Sequence, residues 1–164
     1  MRRILVISDS HGVNENVRKA IDKAKSKYGE LHAMFHLGDV GADYPEVERM
    51  AGVPTYIVAG NCDYSNELKK RVIITMGRHK IYAAHGHIEG VNFGLDFLRY
   101  KALENECDIA LFGHIHIPVY DEGDVTIINP GSISRPRQED KKKTFAILEL
   151  DDDEGIECRF GSID

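Results

Sequence analysis

Five short segments combine glycine with histidine, aspartate or asparagine, and each follows an apolar run of the chain. Because glycine lets the backbone turn sharply at the end of a strand, all five segments can meet along one edge of a sheet. Imidazole and carboxylate groups gathered at such an edge are the donors that a metal site requires. The segments are Asp9-Ser10-His11-Gly12, Gly38-Asp39, Gly60-Asn61-Cys62-Asp63, His85-Gly86-His87 and Gly113-His114-Ile115-His116.

Length, composition and charge narrow the class of protein. The length of 164 residues predicts one domain over 1–164, and 42% hydrophobic and 29% charged residues are typical of a globular protein. The sequence has no apolar stretch long enough for a membrane span, and its N-terminus does not resemble a signal peptide. Three cysteines without a Cys-x-x-Cys spacing argue against a disulfide framework, so we expect a cytoplasmic protein. The net charge of −6 argues against general polynucleotide binding, whereas bound cations would still allow a compact phosphate ligand.

The order of strands and helices predicts an α/β fold. Helical spacing begins at Asn14, the expected N-cap, and alternates with early apolar runs, which is typical of parallel βαβ units. A hairpin and a helix from Phe93 to about Asn105 follow, so we expect a mixed domain of two packed sheets flanked by helices. Strands are predicted over 3–8, 33–37, 53–59, 72–75, 80–84, 108–112, 125–128, 144–150 and 156–160, and helices over 14–28, 45–50 and 93–105.

Any one of the five segments could be an ordinary turn, but together they supply oxygen and imidazole donors and contain no Lys or Arg to repel a cation. In an extended stretch, residues i and i+2 point to the same side, so Asp9 with His11, and His114 with His116, can each direct two ligands into one pocket. Two nearby cations need a shared anionic ligand, and Asp39 is the natural bridge.

The five segments, in this order over residues 9–116, resemble the motifs of the calcineurin-like metallophosphoesterases. Three segments more narrowly resemble the small single-domain phosphodiesterases of bacteria and archaea: Gly60-Asn61-Cys62-Asp63, His85-Gly86-His87 and Asn129-Pro130-Gly131-Ser132. The resemblance implies a four-layer sandwich of two mixed β-sheets flanked by α-helices. It also implies two divalent transition-metal ions, with manganese expected and nickel, iron or zinc as alternatives, because these ligand types do not select one metal. The implied ligands are Asp9, His11 and His116 for the first ion, Asn61, His85 and His114 for the second, and Asp39 for both.

The expected function is a metal-dependent phosphodiesterase that hydrolyses small or nucleotide-like phosphate esters by attack of a metal-bridging hydroxide on phosphorus. Asp39 and Asn61 would take part directly. Larger relatives have Gly-Asn-His-Glu at the third segment, where the histidine is thought to protonate the leaving oxygen, but here Cys62 takes its place. His87 is then a candidate acid or phosphate contact, and Asp63 a group that orients Asn61 or a water, or more simply supports the ligands.

Other interpretations remain open from the sequence. A retromer subunit with a similar fold is a protein-binding scaffold with little or no turnover, but here every ligand position holds a competent residue, which favours the enzyme. Some larger relatives are nucleases, but no extended basic surface is predicted for this chain. A homo-oligomer is possible. Outside the ligand set we expect His36 to be packed and hydrogen-bonded, His32 and His79 to be exposed, and Arg135 and Arg137 to lie in a solvated loop, with contact to a substrate phosphate or an oligomer partner as alternatives.

Overall fold

The computed structural model describes all 164 residues, which form ten β-strands and three α-helices. The helices are α1 (Asn14–Tyr28), α2 (Tyr44–Met50) and α3 (Asp96–Glu104), with a short 3-10 helix over Val91–Phe93. The strands are β1 (Arg2–Ile7), β2 (Ala33–His36), β3 (Thr55–Ile57), β4 (Arg71–Met76), β5 (His79–Ala84), β6 (Ile109–Leu111), β7 (Pro118–Asp121), β8 (Thr126–Pro130), β9 (Thr144–Asp151) and β10 (Gly155–Ser162).

Two five-stranded sheets, both mixed, form the centre of the fold. The first has the order β10-β9-β1-β2-β3, in which β1, β2 and β3 run parallel and β9 and β10 are antiparallel to their neighbours. The second has the order β4-β5-β6-β8-β7, with β5, β6 and β8 parallel. The predicted α/β architecture of two mixed sheets flanked by helices is therefore confirmed.

Strand β1 shows why both faces of the first sheet are apolar. Ile4 and Val6 belong to the layer between the two sheets, whereas Leu5 and Ile7 pack in the layer that includes α1 and α2. All four side chains are fully buried, as expected for a strand that is covered on both faces. A third apolar layer packs α3 against the outer face of the second sheet.

The five polar segments follow the carboxyl ends of five parallel strands. Asp9 follows β1, Asp39 follows β2 and Asn61 follows β3 in the first sheet, while His85 follows β5 and His114 follows β6 in the second. The carboxyl ends of parallel strands are the usual ligand-binding edge of an α/β sheet. Packing the two sheets face to face brings both edges together.

Three local predictions differ from the structure. Asn14 does not cap α1; its side chain instead donates a hydrogen bond to Glu46 Oε2 at 3.0 Å. The helix predicted from Phe93 is interrupted at Gly94, which adopts a φ of +133°. Strand β7 was not predicted because it is a four-residue edge strand with mixed polarity, defined mainly by its pairing with β8.

No helix of the chain is long and apolar enough to cross a membrane.

Candidate metal centre

The first implied metal site is formed by Asp9, His11 and His116, which the fold places in direct proximity. Nε2 of His116 lies 3.1 Å from Oδ1 of Asp9, and Nε2 of His11 lies 3.9 Å from the same oxygen. The Nε2 atoms of the two histidines are 3.4 Å apart. These three donor atoms therefore converge on one small volume that could be filled by a cation.

The second implied site brings together Asn61, His85 and His114. Oδ1 of Asn61 lies 3.0 Å from Nε2 of His85 and 3.1 Å from Nδ1 of His114. The same two ring nitrogens are 3.2 Å from each other. The amide oxygen and two imidazole nitrogens thus face one another as they do in the first group.

Asp39 stands between the two groups, at the position expected of a bridge. Its Oδ2 lies 3.4 Å from Nε2 of His85 and 3.8 Å from Nε2 of His11, so it reaches one histidine of each group. Its Oδ1 accepts a hydrogen bond of 2.8 Å from the backbone N–H of Cys62. Burial alone would raise the pKa of Asp39, but the adjacent His85 ring and the Cys62 N–H hold it well below its usual range, so the carboxylate is ionised.

Two of the imidazole rings are oriented by backbone carbonyl groups. Nδ1 of His85 donates to the carbonyl oxygen of Leu37 at 2.6 Å, and Nδ1 of His116 donates to that of Arg135 at 2.6 Å. When such a ring is neutral, donation through Nδ1 leaves Nε2 unprotonated, which is the form that binds a metal. Each carbonyl therefore fixes the ring position and the tautomer that the site requires.

The Oδ1 atom of Asp9 shows that the residues fit a cation. This carboxylate is fully buried, and Oδ2 accepts hydrogen bonds from the Ser8 hydroxyl at 2.5 Å and the His114 N–H at 3.0 Å, whereas Oδ1 has no hydrogen-bond partner. Although burial opposes ionisation, contacts with His116 and His85 keep the pKa of Asp9 below its ordinary value. A buried anionic oxygen surrounded only by ring nitrogens is costly unless a cation is bound there.

Backbone strain is concentrated on the predicted ligands. Seven non-glycine residues have a positive φ, and five of them are predicted ligands. The prediction that these residues pair across extended i, i+2 stretches is therefore wrong, because their backbones are left-handed and the side chains converge through tight turns. Such conformations are uncommon and cluster at functional sites. The five are Asp9 (φ 55°), His11 (49°), Asp39 (52°), His114 (71°) and His116 (60°).

Two glycines are required by close approach rather than by conformation. A Cβ at Gly60 would overlap the backbone nitrogen and carboxylate of Asp39, and a Cβ at Gly113 would overlap the Ser8 hydroxyl and lie 2.7 Å from the carboxylate of Asp9. The glycines that flank the polar residues thus let loops from different strands approach the two carboxylates.

His87 and Cys62 are not among the implied ligands, but both lie beside the two donor groups. The His87 ring centroid is 5.4 Å from that of His85 and 6.2 Å from that of His114, and its buried Nδ1 has no hydrogen-bond partner. Burial lowers the pKa of His87, and the neighbouring His85 lowers it further. The thiol of exposed Cys62 lies within 4.8 Å of donor atoms of His11 and Asp39, so it faces the first group.

Asp63 binds backbone rather than Asn61. Its Oδ2 accepts hydrogen bonds from the N–H groups of Gly60 at 2.8 Å and Val40 at 3.3 Å, and its Oδ1 accepts one from Gly41 at 3.1 Å. These contacts join the loop after β2 to the loop after β3. Asp63 therefore holds in place the two loops that carry Asp39 and Asn61, which agrees with the supporting role considered above and not with direct orientation of the Asn61 side chain.

The histidines outside the ligand set are only partly as predicted. His36 is packed and hydrogen-bonded, as predicted: it is fully buried, its Nδ1 accepts the N–H of Gly38, and its Nε2 lies 2.8 Å from the Ser10 hydroxyl. Burial lowers the pKa of His36 to about 4. His32 is exposed. The predicted exposure of His79 is wrong: it is 3% exposed, because it lies at the start of β5 against Asp108, with 2.7 Å between Nδ1 and Oδ2.

Several residues that support the site carried no clear signal in the sequence. Asn92 contacts Nε2 of His114 at 3.1 Å, buried Asn129 donates to the carbonyl of Gly113 at 2.9 Å, and the Ser132 hydroxyl donates to the carbonyl of Asp9 at 2.8 Å. Asn129 and Ser132 belong to the Asn-Pro-Gly-Ser segment, which contributed to the family resemblance but for which the sequence predicted no structural role. They anchor the two loops that carry the predicted ligands.

Comparison with known proteins decides the family. Residues 1–153 match the model of the calcineurin-like phosphoesterase superfamily domain. The chain belongs to this superfamily. It is 36% identical over 154 residues to YsnB of Bacillus subtilis, a probable metallophosphoesterase, and the match covers 92% of this chain and 85% of YsnB. A predicted phosphoesterase of Streptococcus pneumoniae has the same fold, with a TM-score of 0.82, 34% identity and coverage of 99% of this chain and 90% of that one.

Solved structures with lower sequence identity show the fold alone. An archaeal phosphodiesterase matches with a TM-score of 0.75 at 23% identity, covering 98% of this chain and 99% of that one. Vps29 from Entamoeba histolytica, as a single mutant, matches with a TM-score of 0.76 at 22% identity, covering 99% of each chain. The family assignment confirms the resemblance inferred from the five polar segments and shows that the chain is a member of a metallophosphoesterase family.

Proposed function

We propose that this chain is a dinuclear metal-dependent phosphodiesterase that acts on small or nucleotide-like phosphate esters. One observation carries the proposal: one histidine of each donor group lies close to the same carboxylate oxygen of Asp39, His11 at 3.8 Å and His85 at 3.4 Å. An ionised carboxylate shared by two groups of imidazole and oxygen donors is the ligand arrangement that a pair of divalent cations needs. Manganese is our first choice of metal, ahead of nickel, iron and zinc.

The residues of the chain have distinct tasks in this proposal. Bound divalent cations would supply Lewis-acid stabilisation of the phosphoryl oxygens and would lower the pKa of a coordinated water. The negative charge of Asp39 would offset part of the positive charge of the two cations. The backbone carbonyls of Leu37 and Arg135 keep His85 and His116 in the tautomers that bind a metal. His87, close to the Asn61 side of the centre, is positioned to contact the substrate phosphate or to hold the proton that the leaving oxygen takes.

The shape of the surface around the centre favours a diester. Two clefts meet at Asn61: one of 410 Å³ extends past His116 to Arg137, and the other of 440 Å³ extends past His87 to Lys70. A phosphodiester has two ester arms on one phosphorus, so each cleft can take one arm. A phosphomonoester would leave one of the clefts without substrate.

A protein-binding scaffold of the kind expected for a retromer subunit is not favoured. Such a role does not require a complete ligand set, yet all seven implied positions hold competent residues and the structure brings them together. The strained backbone at five of these residues would also be a cost without a purpose in a scaffold.

A hydrolysis screen tests the proposed function. The protein would be loaded separately with manganese, nickel, iron or zinc and assayed on bis(p-nitrophenyl) phosphate, p-nitrophenyl phosphate and linear and cyclic nucleotides. We expect metal-dependent turnover with a higher kcat/KM for the diester than for the monoester, and loss of turnover in Asp9→Asn. A metal-loaded protein that hydrolyses none of these esters would refute the enzyme, and a preference for the monoester would refute the diesterase.

A further inference from the structure

Two arginines line the cleft on the side of the first donor group. Arg135 and Arg137 border this cleft together with His11, His116 and Asn61. Both arginines are exposed, and the segment that carries them follows the buried Ser132 directly. The cleft therefore joins the candidate metal centre to a pair of guanidinium groups.

Neither guanidinium group has an acidic partner within the chain. Other arginines, such as Arg99 and Arg159, form ion pairs of 2.7 Å with Asp121 and Glu157. The side chains of Arg135 and Arg137 form no salt bridge and no hydrogen bond, although the chain has 27 acidic residues against 21 basic ones. Two like charges bordering one cleft repel each other, and an anion bound between them would relieve that repulsion.

The backbone of this segment is tied to a predicted metal ligand. The N–H of Arg135 donates to the Ser132 hydroxyl at 2.7 Å, and the N–H of Arg137 donates to the carbonyl of His116 at 3.0 Å. The carbonyl of Arg135 in turn accepts the Nδ1–H of His116 at 2.6 Å. The arginines are thus held at a fixed place relative to the candidate metal centre, and not on an independent loop.

The other cleft has a different character. Lys70 is its one lysine or arginine, and the exposed side chain of Tyr64 forms part of its wall. The reacting phosphoryl group belongs at the centre where the two clefts meet, next to Asn61. A second anionic group on the same substrate would therefore be drawn to the arginine side, because planar guanidinium groups bind phosphate oxygens in pairs.

We propose that Arg135 and Arg137 bind a second phosphate carried by one ester arm of the substrate. This inference rests on the proposed function and deepens it. The substrate class becomes a nucleotide-like phosphodiester that bears a further phosphate, and the two arginines determine specificity without taking part in bond cleavage.

The test measures binding as well as turnover. The manganese-loaded protein would be titrated by calorimetry with thymidine 3′,5′-bisphosphate and with thymidine 5′-monophosphate, with chromatography to verify that each ligand stays intact. KM would be compared for thymidine 5′-(p-nitrophenyl phosphate) and its 3′-phosphorylated counterpart. The variants are a double substitution, Arg135→Gln with Arg137→Gln, and a control of equal charge change, Lys23→Gln with Arg49→Gln, which borders neither cleft.

We expect the wild-type protein and the control to bind the bisphosphate at least about tenfold more tightly than the monophosphate, a difference of about 1.4 kcal/mol. The double arginine variant should lose most of this preference, in binding and in KM. A wild-type protein without the preference, or a double variant that keeps it, would overturn the inference. If no ester is hydrolysed but the binding preference depends on the arginines, the proposed function fails and the anion site remains.

Discussion

The Nε2 atoms of His11 and His116 lie 3.4 Å apart at the ends of two different sheets, although the two residues are 105 positions apart in the chain. Because Nδ1 of His116 donates to the carbonyl of Arg135, its Nε2 offers a lone pair toward His11. The same relationship recurs between His85 and His114, whose facing ring nitrogens are 3.2 Å apart. Two pairs of facing imidazoles arranged around Asp39 are the basis of the predictions that follow.

Asp39→Asn should abolish most hydrolysis of bis(p-nitrophenyl) phosphate, because the amide keeps the shape of the carboxylate but removes its charge from between the two donor groups. We expect a loss of activity on the order of 100-fold or more. Asp22→Asn, an exposed change on α1, is the matched control. Wild-type turnover by Asp39→Asn with full metal content would show that Asp39 is not the bridge.

His87→Ala should slow turnover while leaving the metal content unchanged. Its ring lies 5.4 Å from the His85 ring centroid, which is close enough to reach a substrate at the centre, and the implied ligand set is complete without it. Steady-state kinetics combined with elemental analysis separates the two effects. Loss of metal from this variant would move His87 into the coordination sphere.

Asp63→Asn should weaken metal binding without removing any predicted ligand. The carboxylate accepts three backbone N–H groups, from Val40, Gly41 and Gly60, and an amide can replace only part of this set. We expect a loss of about 1–3 kcal/mol in the free energy of unfolding and a metal affinity about 10- to 100-fold lower. Urea denaturation and a competition titration with a chelator measure the two quantities, and unchanged values in both would contradict the supporting role.

His36 should make the stability of the protein depend on pH. Its pKa is lowered from 6.5 to about 4, so below pH 6.5 the unfolded chain takes up a proton that the folded chain excludes. The stability is complete above pH 6.5 and falls as the pH drops toward 4. Between about pH 7 and pH 5, His36 should account for a loss of about 2 kcal/mol.

Urea denaturation of chelator-treated protein at these two pH values measures this contribution. The loss of stability between them should be about 2 kcal/mol smaller in His36→Gln than in the wild type, whereas His32→Gln, which changes an exposed histidine, should keep the wild-type dependence. Equal pH dependence in the wild type and in His36→Gln would show that His36 does not titrate as its burial implies.

Much of the fold was predictable because its signals are local. An apolar run such as Ile4-Leu5-Val6-Ile7 that ends in Ser-Asp identifies both a buried strand and the polar residues at its carboxyl end. The convergence of the ligands then follows from parallel pairing, since each segment sits at the same end of its strand.

The remaining features depend on contacts between distant parts of the chain. The left-handed backbones of Asp9 and His116 cannot be inferred from residue type, because aspartate and histidine adopt this conformation more often than other non-glycine residues but still only in a minority of cases. His79 is buried because the fold brings Asp108 against it, and Ser132 reaches the carbonyl of Asp9 across 123 positions of sequence. Backbone carbonyls that orient the ligand rings, such as that of Arg135, leave no mark in the sequence at all.

Metal content tests the central claim most directly. The purified protein would be reconstituted with manganese, desalted and analysed for metal and protein, in parallel with Asp9→Asn, which removes the buried anionic oxygen that lacks a hydrogen-bond partner. We predict close to two ions per chain for the wild type and fewer for Asp9→Asn. A folded wild-type chain that retains no metal after reconstitution with manganese, nickel, iron or zinc would contradict the account.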